Sequence, residues 1–357
     1  MLIVTRQIGK HRKLLQLVSL ILVGCFTLSC QSPAPAAEIG MTVHLRGADA
    51  AALERQFDLM ADMNVTWVRI DVDWSVIESE QSQLHWTSAD ALIEEATARQ
   101  MKVLGVLAFS PAWTRPSTPD LSPAAKHSRP DEVASYANFA RVAAERYAAR
   151  GVHSWEIWNE PNTSKFWPPR PDADSYGELF RVAADAIRDA DPDATLLIGG
   201  LAPKFEVPEA ETAPADYLEQ LYGNGSAQLA DGIAVHPYTF PALPMAADQR
   251  TIGGFKDLPE LRAVMEKHGD SRKKLWVTEF GAPTGTGQHA VSEQDQETAL
   301  VQAREQVGRW EWAGPLMYYE LVDGGTDPGD VEQNFGVLRE DLSPKPAAEA
   351  LMDAASD

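Results

Sequence analysis

The strongest constraint on this chain is one alternation, repeated eight times. Short apolar, β-rich runs fall at residues 41–46, 67–74, 102–109, 154–159, 195–201, 232–238, 274–280 and 315–321. Each is followed by a longer amphipathic stretch of helical period, at 50–63, 88–100, 131–149, 174–189, 215–223, 258–268, 293–310 and 346–355. Apolar period separates the two kinds of segment. Strands joined through helices run parallel, because the crossover returns the chain to the same edge. Eight is the number at which such a sheet closes around its own side chains. The expected fold is therefore α/β, a single-domain (β/α)8 TIM barrel over residues 41–357. An open doubly wound sheet is the alternative, but no glycine-rich turn follows the first run.

Boundary residues agree with the helices. Ser88 with Asp90, and Asp131 with Glu132, put short polar or acidic groups at helix starts. Gly151 and Gly269 stand where a helix needs a left-handed residue just past its end.

The chain has 357 residues, 44% of them hydrophobic and 23% charged, which is globular composition. Its formal net charge of -21 repels nucleic acid and anionic membrane, so neither is an expected partner. Residues 1–29 read as an export leader. Arg6, Lys10, Arg12 and Lys13 precede an apolar run over 14–23 that is too short for a comfortable membrane span. Leu22-Val23-Gly24-Cys25 resembles a bacterial lipobox, and Thr27-Leu28-Ser29-Cys30 is a looser match. Ala34-Pro35-Ala36 could instead serve an ordinary signal peptidase. A lipid-anchored protein, a secreted or periplasmic one and an uncleaved anchor all stay open. Residues 30–40 form a Pro/Ala linker. Cys25 and Cys30 are the only cysteines, so the barrel has no disulfide and must draw stability from its core. A monomer is expected.

Functional groups of such a barrel lie at the C-terminal ends of its strands. The fourth run ends in Glu156-Ile157-Trp158-Asn159-Glu160-Pro161-Asn162, where Pro161 has no N–H and must stop the strand. The seventh ends in Trp276-Val277-Thr278-Glu279-Phe280-Gly281. Three strand–helix units separate Glu160 from Glu279, so the two carboxylates face each other across the barrel mouth. Glycosidic cleavage needs such a pair. One, held protonated, donates to the leaving oxygen, and the other, kept ionised by donors, attacks the anomeric carbon.

These two segments resemble the signatures of clan A glycoside hydrolases. The resemblance is closest to family 39, including its exopolysaccharide-cleaving members, with the cellulase-like family 5 next, and it runs over essentially the whole chain after residue 40. It implies a retaining, endo- or exo-acting β-glycosidase with Glu160 as acid/base, Glu279 as nucleophile and Asn159 as ligand of the sugar 2-hydroxyl. It also implies that Arg69, in Trp67-Val68-Arg69-Ile70-Asp71, lies near the nucleophile, and likewise His236 and Tyr238 of His236-Pro237-Tyr238. An ion pair of Arg69 with Glu156 or Asp71 is the competing reading. Neighbouring residues on an ideal strand point to opposite faces, so Asn159 and Glu160 can share one sugar only if the strand end turns. The clan usually carries a tryptophan on strand 8. Met317-Tyr318-Tyr319-Glu320 stands there in this chain, and Tyr318 aligns with it.

Trp113 and Trp167, after the third and fourth runs, are candidate platforms for the apolar faces of pyranose rings, with Trp74 a weaker one. His44 and Glu320 read as peripheral. The long loops 114–130, 203–214 and 239–255 are expected to shape the cleft. No GxSxG, HExxH or P-loop motif is present, nor any Cys/His metal cluster, so neither cofactor nor metal is expected. The expected partner is a poly- or oligosaccharide. Transglycosylation and a catalytically silent carbohydrate-binding barrel are the other functions this pattern allows.

Overall fold

Eight strands pair in chain order, all parallel, and the last closes on the first: β1 (Ile39–Val43), β2 (Trp67–Asp73), β3 (Lys102–Ala108), β4 (Ser154–Asn159), β5 (Thr195–Leu201), β6 (Gly232–Val235), β7 (Lys274–Phe280) and β8 (Ala313–Tyr318). The computed structural model describes residues 37–115, 122–205, 211–247 and 251–356. The leader expected over residues 1–29, with Cys25 and Cys30, lies outside the described residues, as do linker residues up to 36 and parts of all three long loops. The barrel is the expected one. Three strands match the sequence reading to the residue. β6 stops three residues early, because His236 is followed by Pro237, which cannot donate to the ladder.

The outer ring consists of α1 (Ala50–Asp62), α2 (Thr87–Ala98), α3 (Val133–Ala148), α4 (Ala173–Ala190), α5 (Pro214–Gly223), α6 (Leu258–Lys267), α7 (Glu293–Arg309) and α8 (Pro346–Ser356). A short helix, Trp74–Ile77, precedes α2 and was not foreseen. α4 shows how the ring is built. Tyr176, Phe180, Ala183, Ala184 and Ile187 recur at three- and four-residue spacing and bury one face. The Asp172 side chain accepts from the N–H groups of Asp174 and Ser175, a cap worth about 1 kcal/mol. Two boundary expectations need correction. Ser88 and Asp131 do not cap α2 and α3, which start after Trp86 and Glu132 without a side-chain cap. Asp49, Asp172 and Ser292 do that work elsewhere. Gly151 and Gly269 are left-handed, with φ of +82° and +86°, as expected.

The main core lies between barrel and helices. A smaller cluster of Trp67, Leu104, Leu197, Ala234 and Met317, with Trp276 against it, draws one residue from each of six strands and fills the barrel itself. Two residues further along, two of these strands turn polar: Arg69 on β2 and His236 after β6. The barrel is thus plugged below and chemical above.

Candidate active site

β4 reaches the mouth through an abrupt turn. Trp158 and Glu160 have φ of +70° and +47°, the left-handed region. Each such non-glycine residue costs about 1–3 kcal/mol and persists only where its surroundings over-determine it. Here the Asn162 amide donates to Ala202 O and Thr212 O, and its carbonyl accepts from Ala202 N. The Glu160 N–H itself donates to Gly200 O. The turn resolves the difficulty of strand alternation, since it lets Asn159 and Glu160 face the same space.

Arg69 is the hub beneath them. Its Nη1 donates to Glu279 Oε1 at 2.5 Å, and its Nη2 to Glu156 Oε1 at 3.0 Å and Asn159 Oδ1 at 2.9 Å. Nε donates to Glu156 Oε2 at 3.3 Å. The competing readings of Arg69 are therefore both realised. Arg69 is 2% exposed and Glu156 fully buried. Burial works against both charges, but each outweighs it in the other. The guanidinium is held further protonated by Glu156 and then Glu279, and the Glu156 carboxyl is pulled down to about 2 by Arg69 and then His236. Gly200 N also donates to Glu156, at 3.0 Å.

His236 is fully buried among carboxylates. Its Nδ1 is 2.9 Å from Glu160 Oε1 and 3.5 Å from Glu279 Oε2. Nε2 is 3.7 Å from Glu156 Oε1, so that pair is joined by charge rather than by a hydrogen bond. Gly200 makes this fit possible, because a Cβ there would lie 1.9 Å from Nε2. Burial pushes the imidazole down, but Glu279 first, then Glu156 and Glu160, push it up to about 9. It is an imidazolium at neutral pH. The expectation that His236 attends Glu279 is thus widened, since Glu160 is its nearer partner. Tyr238 Oη donates to Glu279 Oε2 at 2.7 Å. Burial raises Glu279, but His236, Arg69 and the Tyr238 hydroxyl outweigh it and leave its carboxyl below the usual range.

An oxygen of Glu160, an oxygen of Glu279 and a nitrogen of His236 all lie within 4.8 Å of one another. Such spacing could suit a metal, which would have to displace the imidazole proton in order to bind. One oxygen of each carboxylate is thus close enough to its counterpart for both to reach a single anomeric carbon.

The aromatic expectations need correction. Trp167 is 2% exposed, wedged edge-on against Trp158 and Tyr176, with its indole N–H donating to Ser175 Oγ. Tyr318 is fully buried and its hydroxyl donates to Leu300 O of α7. Trp74 is likewise core, stacked on Phe139. None of the three offers a free face. Trp113 is half-buried, edge-on to Trp74, with its N–H on Glu78 O. Tyr319 stands where Tyr318 was expected. Its ring packs edge-on to Tyr238, Phe335 and His44. Strand alternation explains the slip: Met317 points into the barrel, so Tyr318 points to the helices and Tyr319 back to the mouth. His44 and Glu320 also belong to the mouth. His44 lies 3.6 Å from Asp71 and 3.5 Å from Glu320, and both carboxyl oxygens of Glu320 meet Arg46.

The sequence profile of cellulases, glycosyl hydrolase family 5, matches residues 31–313. The chain belongs to that family. Its family 5 barrel is also similar to several solved structures. A family 39 glycoside hydrolase from Bacteroides cellulosilyticus superposes with a TM-score of 0.70 at 24% identity, over 89% of this chain and 63% of that one. A monomeric β-xylosidase from Caulobacter crescentus gives 0.67 at 18%, over 91% and 70%. A family 5 enzyme from Streptomyces cattleya, in complex with GlcNAc, gives 0.66 at 20%, over 90% and 80%. At these identities the likeness is one of fold. A β-xylosidase from Geobacillus stearothermophilus is 40% identical over 60 residues, 16% of this family 5 chain and 11% of the xylosidase.

Proposed function

We propose that this family 5 chain is a retaining β-glycosidase that hydrolyses O-glycosidic bonds of a poly- or oligosaccharide. Glu279 is the nucleophile and Glu160 the acid/base. The observation that carries this reading is the approach of the two carboxylates to within 4.8 Å. In the first step a Glu279 oxygen bonds to the anomeric carbon while Glu160 gives its proton to the departing oxygen. In the second, Glu160 takes a proton from water, the water oxygen replaces Glu279, and the configuration is restored.

The other residues serve this displacement. Arg69 and Tyr238 aim Glu279 and keep it ionised. Asn159 has its carbonyl oxygen fixed by Arg69, so its amide N–H group is left to donate to the sugar 2-hydroxyl. His236 ties Glu160 and Glu279 into one titrating unit, whose pKa values belong to the group. The test is proton NMR of the first product released from aryl β-glycosides and β-glucans or xylans. β-Anomer appearing before mutarotation supports retention. α-Anomer appearing first refutes it.

A further inference from the structure

Every buried main-chain group of a barrel strand needs a hydrogen-bond partner, and the turn at the end of β4 interrupts the usual ones. The ladder of β4 with β3 runs up to Leu107 opposite Ile157. Its ladder with β5 pairs Ile157 with Ile198 and then Asn159 with Gly200. It passes over Trp158, the first of the two left-handed residues. At this level the carbonyls of Leu107 and Ile157 and the N–H of Gly199 are met by side chains instead.

Two tyrosines supply those partners, one from the helix before β4 and one from the helix after it. Tyr136 of α3 donates its hydroxyl to Leu107 O at 2.6 Å, and the Trp158 main chain is hydrogen-bonded to the same oxygen. Tyr176 of α4 donates to Ile157 O at 2.8 Å and accepts from Gly199 N at 2.8 Å. A hydroxyl both donates and accepts, so it can join a carbonyl to an N–H as a wider rung of the ladder. Both side chains are fully buried, and burial raises both phenols above their ordinary 10, so each keeps its O–H. Gly199 allows the close approach of β4 and β5 here, because a Cβ would lie 2.6 Å from Ile157 O and 2.8 Å from Trp158 O.

The two rungs immediately precede, along β4, the residues that act on the sugar. Gly200, next to Gly199, accepts from Glu160 N with its carbonyl and donates its own N–H to Glu156. A β4 that ran on regularly would alternate its faces, and only one of Asn159 and Glu160 could look into the mouth. The nucleophile is held separately, by Arg69 and Tyr238.

From this geometry we propose that Tyr136 and Tyr176 are positioning residues, whose hydroxyls set the β4 turn that brings Asn159 and Glu160 to one sugar without touching it themselves. The proposal rests on the hydrolase reading and deepens it. Loss of either hydroxyl relaxes the turn, so proton delivery by Glu160 fails while attack by Glu279 is kept.

Tyr136→Phe and Tyr176→Phe each delete one oxygen and keep the ring. The assay compares phenyl with 2,4-dinitrophenyl β-glucosides and β-xylosides, because 2,4-dinitrophenolate departs without a proton and phenolate does not. In each variant kcat/KM on the phenyl glycoside should drop at least about 10-fold, part of the roughly 100- to 10,000-fold that a general acid supplies, while the 2,4-dinitrophenyl value falls less than about 3-fold. Equal losses on both leaving groups, or no loss, overturn the proposal. Where one variant does not fold, the other decides, and failure of both to fold marks a purely structural pair and overturns the proposal too. If the unaltered protein turns over none of these glycosides, the hydrolase reading fails separately, and the turn is judged by hydrogen–deuterium exchange. Peptides over residues 156–162 should then exchange at least about 10-fold faster in the variants, with those over 276–280 unchanged. Unmoved exchange over 156–162, or an equal rise in both segments, overturns the proposal.

Discussion

Nδ1 of His236 touches both catalytic candidates at once, 2.9 Å from Glu160 and 3.5 Å from Glu279. The opposite edge of the same ring faces Glu156 across 3.7 Å. One cation is thus shared by three carboxylates, and Arg69 binds two of the three from below. The charge state of the site is set by this arrangement rather than by either glutamate alone.

Stability should carry the signature of that imidazolium. The folded pKa of His236 is about 9, above its ordinary 6.5. A raised group stabilises fully below its unfolded pKa and loses that contribution as pH climbs through the folded one. Melting temperatures measured from pH 6 to 10 should therefore fall for the unaltered protein between about 6.5 and 9. His236→Gln should lack that component. Parallel curves for the two proteins would refute the assignment.

Glu156→Gln removes a buried charge beside His236 without changing shape. The imidazolium then holds its proton less tightly, and Glu279 loses a repelling neighbour. Both limbs of the kcat/KM profile should move to lower pH. Arg69 keeps Glu279 as a counter-charge, so the loss in chemical denaturation should stay below the roughly 3–5 kcal/mol of a fully broken buried pair. Lower activity with unmoved limbs would mean that Glu156 only supports the fold.

Arg69→Lys keeps the charge and loses the fork. A lysine cannot hold Glu156, Glu279 and Asn159 together, so kcat/KM should drop about 100- to 1,000-fold, chiefly in kcat. Steady-state kinetics on one aryl glycoside decides it, and a loss under tenfold would contradict the hub role.

The adjacent tyrosines should separate cleanly. Tyr318→Phe breaks a buried hydrogen bond to Leu300 O, costing about 1 kcal/mol of stability with kinetics intact. Tyr319→Ala should raise KM several-fold. Kinetic damage from Tyr318→Phe alone would restore Tyr318 to the site.

The barrel was legible because eight period-2 segments and eight helical ones left one closed topology. Glu160 and Glu279 were legible because each is a lone charge at the end of an apolar run. Tyr319 was missed by one position, although Met317 set the strand parity that would have found it. Trp167 and Tyr318 were misjudged because an aromatic near a strand end can face the helix layer as readily as the cleft. Glu156, two positions inward of a known motif, gave a parity signal too. The Arg46–Glu320 pair gave none, since it depends on how the loops after β1 and β8 meet in space.

The most direct test of the central claim is a covalent trap. Activated 2-deoxy-2-fluoro-β-glucosides and β-xylosides slow the second step and leave the sugar on the nucleophile. Peptide mass mapping after inactivation should find one added sugar on Glu279, within Trp276–Phe280, and none on Glu160. A label on Glu160, or inactivation without any glycosylated carboxylate, would contradict the account.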